Sequence, residues 1–152
     1  MATRIPPSLK RLNLTAIMAR VQREQGWTAA EAGDAELWYR RFLQLSLERG
    51  SKPFYAITEQ ADHVWHAHIL FTRKYRQDCE RIFGGYLDHT PADKGPDSLS
   101  KERQRQAAAL YLKEFAVEPP PVKVPCYVPT NGPPGPPPGS GRREGVPPAR
   151  RR

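Results

Sequence analysis

Of the 17 prolines in this 152-residue chain, 12 fall after Glu118, and that asymmetry decides where a folded core can form. Proline has no backbone N–H and its ring clashes with the preceding helical turn, so a proline-dense stretch sustains neither a helix interior nor a central strand. Residues 119–152 also carry few apolar side chains, too few to offset the entropy lost on ordering a backbone. The expected division is a helical domain over residues 1–118 and a disordered Pro/Gly/Arg-rich tail over 119–152. A chain of 118 residues is long enough to bury roughly two-thirds of its unfolded surface without staples.

Within that part the apolar residues recur at helical spacing. Leu14, Ile17, Met18 and Val21 follow i, i+3, i+4, i+7, with Gly26 placed to end the helix. Thr28 and Glu31 stand three apart, the spacing at which hydroxyl and carboxylate satisfy each other's orphan N–H groups as a capping box. They open a second helix, along which Ala35, Trp38, Tyr39, Phe42 and Leu45 share a face until Gly50. A third helix is expected from about Thr58 to Leu70, and a fourth from Arg73 to Phe83, with Thr72 as N-cap and Gly84-Gly85 as the stop. Tyr86 to Ser100 reads as loop, and Ser100 opens a last helix carrying Ala107, Leu110, Tyr111 and Phe115. No segment alternates strictly. The expected fold is all-α, a single domain of about five helices.

Charge and composition exclude several classes. The net charge is +8, divided evenly as +4 over residues 1–117 (18 basic, 14 acidic) and +4 over 118–152 (six basic, two acidic). The tail's arginines, at 142–143 and 150–152, have no interleaved aromatics to stack bases, so nucleic acid is not an expected partner. The longest apolar run, Ala107 to Leu112, is six residues, which leaves no membrane span. Cys79 and Cys126 are too few for a disulfide scaffold, and the N-terminus shows no apolar signal region. A reducing cytoplasm is the expected location.

The chemistry concentrates in one window. All four histidines, His63, His66, His68 and His89, lie within 27 residues, together with Asp62, Asp78, Cys79 and Asp88. Imidazole, thiolate and carboxylate are the ordinary zinc ligands, although neither a CxxC pair nor an HExxH is present. On a helix advancing ~100° per residue, Ala61, Val64, Trp65 and His68 share one face while Asp62 and His66 stand side by side one turn apart. His66 and His68 then point about 160° apart and cannot hold one ion unless the helix ends near His66. The other possibility uses Asp62 and His66 with a ligand from elsewhere, and His89 is the natural candidate. Each residue also has a plainer role. Cys79 centres an apolar face and reads first as a small buried hydrophobe. His68 reads equally as a core histidine bonded to a carbonyl or to Asp78. Asp62 favours a helix N-terminus whether or not a metal is near, and His63 reads as a surface residue.

The run from Ala61 to Gly84 and the following Leu87-Asp-His-Thr-Pro91 resemble the conserved block of the glycine-rich domain-containing protein-like family. The pattern maps onto Asp62, Trp65, His66, His68, Tyr75, Asp78, Cys79, Gly84 and His89, and the likeness extends over about residues 26–116. It implies a helical module and no particular activity.

Two functions follow. The first is a metal-binding helical module in which Asp62, His66 and His89, with His68 or Cys79 as a fourth ligand, hold zinc or another divalent ion. The second is a non-enzymatic interaction protein whose PxxP spacings, in 119–125 and 133–138, are read by a partner's aromatic groove, with the histidines a structural polar network. The balance is against an enzyme. Asp78 is the one general-base candidate, and a Cys79 thiol on an apolar face makes a poor nucleophile.

Overall fold

The computed structural model describes residues 5–50, 57–89 and 98–123. Six helices and one two-stranded ladder are present among them. The elements run α1 (Pro7–Lys10), α2 (Thr15–Gln25), α3 (Ala29–Arg49), β1 (Ile57–Thr58), α4 (Glu59–Leu70), α5 (Thr72–Phe83), α6 (Ser98–Phe115) and β2 (Val122–Lys123). The fold is all-α, as the periodicity implies.

Local chemistry explains most of the boundaries. Asn13 Oδ1 accepts the Thr15 N–H at 3.0 Å to start α2, and Gly26 ends it in the left-handed region, φ 65°. The Thr28–Glu31 capping box opens α3, with the Thr28 N–H donating to Glu31 at 2.8 Å and the Glu31 N–H to Thr28 Oγ1 at 3.2 Å. Thr58 caps α4 by accepting the Ala61 N–H. Gly84, at φ 69°, ends α5.

Helix α3 is the central strut, touching α1, α2, α4 and β1. Its core face presents Ala35, Trp38, Tyr39, Phe42 and Leu45, all buried. The α6 helix returns to it through Tyr111, edge-on to Trp38 at 5.7 Å. The Arg41 guanidinium lies over both Trp38 (4.5 Å) and Phe115 (5.4 Å), a cation–π clasp between the two helices.

Four details differ from the sequence expectation. The α1 turn is a sixth helix, too short to show a period. Thr72 is the first residue of α5 and not its cap. Phe71 alone joins α4 to α5, serving as C-cap of one and N-cap of the other. Helix α6 opens at Ser98, two residues before Ser100. Finally, the chain past Glu118 stays on the domain for a few residues. Val122 is buried and pairs with Thr58, as Lys123 does with Ile57, antiparallel. Two residues per strand are too few for alternation to register. The tail beyond residue 123, with its PxxP spacings and terminal arginines, lies outside the described residues, as does the loop 90–97.

The N-terminal segment is held by one side chain. Leu9 and Leu12 are buried, and their carbonyls accept from Arg40 Nη1 and Nη2, each at 2.9 Å, while Glu36 braces the same guanidinium at 2.7 Å. Lysine cannot reproduce this fork. Arg40→Ala and Arg40→Lys are therefore both expected to cost about 1.5–3 kcal/mol, the range for hydrogen bonds to a charged group. The loss should show as a lower urea midpoint and faster amide exchange over residues 9–12, with exchange in α4 and α5 quickened by no more than the global loss of stability.

Candidate functional site

The face-sharing read from α4 holds. Ala61, Val64, Trp65 and His68 are buried, and Asp62 and His66 lie together toward solvent. The joint at Phe71 turns α5 back against α4, and the left-handed Gly84 turns the chain again. Leu87 is then buried and His89 is laid over the exposed side of α4.

Asp62, His66 and His89 meet there. One potential ligand atom from each lies within 4.8 Å of the others. His89 Nε2 is 3.2 Å from Asp62 Oδ1, and His66 Nδ1 is 3.5 Å from Asp62 Oδ2. His66 Nδ1 also donates to the Asp62 carbonyl at 2.7 Å; a carbonyl only accepts, so the lone pair of a neutral His66 sits on Nε2. The two imidazole rings are 4.3 Å apart. Their exposures differ in a useful way: 9% for the His89 side chain, 17% for Asp62 and 54% for His66. Two ligands are preset by packing and the third faces water.

His68 and Cys79 are placed elsewhere. His68 Nδ1 meets the Tyr39 hydroxyl at 2.8 Å and its Nε2 meets Asp78 Oδ2 at 2.9 Å, so both ring nitrogens are engaged. The Asp78 carboxylate accepts only, which puts the His68 proton on Nε2 and makes Tyr39 the donor to Nδ1. Burial lowers the His68 pKa, against the raising effect of Asp78, and the ring stays neutral. Lys74 Nζ, 2.8 Å from the same Asp78 oxygen, carries the network from the core to the surface. Cys79 is buried against the Leu87 backbone and the Tyr75 hydroxyl, and burial pushes its thiol up, away from thiolate. Asp78 is thus committed to His68 and Lys74 inside the core, a poor position for a general base. His63 sits edge-on to Trp27 at 6.0 Å.

Two tyrosines matter more than the sequence suggested. Tyr39 and Tyr75 lie on apolar faces, and their hydroxyls were the available signal, because a buried tyrosine O–H needs a partner. Tyr39 finds His68. Tyr75 accepts from Trp65 Nε1 at 2.8 Å and donates to the Leu87 carbonyl.

Fold and site together define a small all-helical domain that carries a two-histidine, one-carboxylate cluster on the solvent side of α4 and a buried Tyr–His–Asp network in its core. More specifically, the chain belongs to the UCP032817-like family, whose model matches residues 13–114. That finding corrects the resemblance to the glycine-rich domain-containing protein-like family. The residues that carry the resemblance are mostly packing residues: Trp65, His68, Tyr75, Asp78 and Cys79 are buried, and Gly84 is the left-handed stop of α5. Such a pattern describes how two helices pack and does not single out one family. No curated protein and no solved structure matches the chain. No helix among the described residues is long and apolar enough to cross a membrane.

Proposed function

We propose that this domain binds a divalent metal ion through Asp62, His66 and His89. The observation that carries the reading is the convergence of three donors from two separate parts of the chain onto one spot. In a tetrahedral site with metal–ligand distances near 2.1 Å, ligand atoms stand ~3.4 Å apart. The Asp62–His89 separation, 3.2 Å, is already of that size, whereas His66 Nδ1, 3.5 Å from the carboxylate, is turned to the Asp62 carbonyl. His66, the exposed member, completes the set by turning its ring so that a lone pair faces the carboxylate.

Two imidazoles and one carboxylate suit zinc and other first-row divalent ions. Three protein ligands leave a position for water, as in open sites, while the ion would tie the return segment to α4. His68 and Cys79 have no part in this set. The bound ion stabilises the folded state by mass action, by about 2.7 kcal/mol at a hundred times Kd.

Titration of metal-free protein with zinc is expected to show one site per chain and a rise in melting temperature. Asp62→Asn, His66→Ala and His89→Ala should each weaken it by tenfold or more. Absence of binding at millimolar zinc, or binding indifferent to His89→Ala, would overturn the proposal. In that case the trio is a polar network that anchors residues 87–89 to α4.

A further inference from the structure

We infer that Tyr75 is a positioning residue for this trio: its hydroxyl holds Trp65 and the Leu87 carbonyl together and so places His89 over Asp62 before any ion arrives. The inference rests on the metal reading for its purpose but not for its geometry.

His89 follows Gly84 by five residues and has no helix to orient it. Its position is set from beneath and from behind. From beneath, the fully buried Trp65 ring lies 4.4 Å from the imidazole. From behind, Leu87, two residues upstream, is buried and its carbonyl accepts the Tyr75 O–H, while its backbone also meets the Cys79 sulfur. The Tyr75 hydroxyl is common to both supports, because it also accepts the Trp65 indole N–H at 2.8 Å. A phenol has one proton and accepts readily, so both bonds are made at once. Phenylalanine would keep the ring and its contacts with His68 (4.9 Å) and Tyr86 (5.3 Å). It would release the indole and the carbonyl together. Tyr75 acts on His89 through Trp65 and Leu87, the way outer groups orient metal ligands.

The fold contains its own control. Tyr39 is a second fully buried tyrosine, and its hydroxyl serves His68, which is not a member of the trio. Tyr75→Phe and Tyr39→Phe each delete one buried hydroxyl, so both lower stability, but only the first cuts the support of His89.

The experiment compares the two variants with the full-length wild type by proton NMR without metal and by zinc titration. In wild type, Trp65 and His89 ring protons should show cross-relaxation. Tyr75→Phe should lose most of that intensity and weaken zinc 10–100-fold, as outer-group changes at metal sites do. Tyr39→Phe should keep both within about twofold. If Tyr75→Phe folds too weakly, trimethylamine oxide restores folding without restoring the hydroxyl, and the same readouts apply. Unchanged ring contacts in Tyr75→Phe, or equal weakening by both variants, would overturn the inference. If wild type binds no zinc the metal reading fails, and the ring contact still decides whether Tyr75 places His89.

Discussion

Trp65→Ala is expected to lower the stability of the domain by about 3–5 kcal/mol, the cost of truncating a large aromatic inside a packed core. Trp65 is wholly inaccessible to solvent and lies 4.8 Å from Phe42 of α3 and 4.4 Å from His89. Its indole N–H donates to Tyr75. Alanine would leave a cavity where α3, α4 and the return segment meet, and would strip the Tyr75 hydroxyl of one partner. A domain of this size is stable by about 5–15 kcal/mol, so the loss is a large share of the whole. Urea denaturation followed by far-UV circular dichroism should show a much lower midpoint with a similar slope. A near-neutral result would mean that the α4 face is not the core.

The second large effect belongs to the Tyr39–His68–Asp78 network. His68→Leu keeps the bulk of the ring but removes a partner from a carboxylate whose side chain is 3% exposed and from a hydroxyl that has no route to water. Losing one partner of a buried charge costs about 3–5 kcal/mol; Lys74, which still reaches Asp78, holds the expected value to the lower end of that range. The decisive measurement is a double-mutant cycle. Tyr39→Phe alone should cost about 1–3 kcal/mol, because it leaves a His68 nitrogen unsatisfied. In the His68→Leu background it should cost almost nothing, since the hydroxyl it deletes is already orphaned.

The network also gives a pH dependence whose sign is set. Burial lowers the His68 pKa from its ordinary 6.5, so between that lowered value and 6.5 the unfolded chain binds more protons than the folded one. Stability contributed at His68 is therefore complete above pH 6.5 and falls on acidification below it. A proton on Nδ1 would confront the Tyr39 hydroxyl, which donates there. His68→Leu should flatten that part of the stability profile.

Much of this architecture is legible along the chain because its causes are local. The Thr28–Glu31 box, the glycine stops at 26, 50 and 84, and the faces of α2, α3 and α4 all follow from interactions within four residues, which the order of amino acids contains in full. The same arithmetic separates His68 from His66 and sets Asp62 beside His66. Only tertiary packing decides what lies across from each of those side chains. It takes His68 and Cys79 into the core, where Tyr39, Asp78 and Leu87 engage them, and it brings His89 across 27 residues onto Asp62. The same holds for α1, fastened by Arg40 from 28 and 31 residues away, and for the Ile57–Lys123 ladder. For Asp78, Cys79 and His89 the partners are chosen by the one-residue joint at Phe71 and the left-handed turn at Gly84, which set how α5 returns on α4. Periodicity reports which face of a helix is buried, whereas the identity of what it is buried against depends on directions of the chain that no short window of residues records.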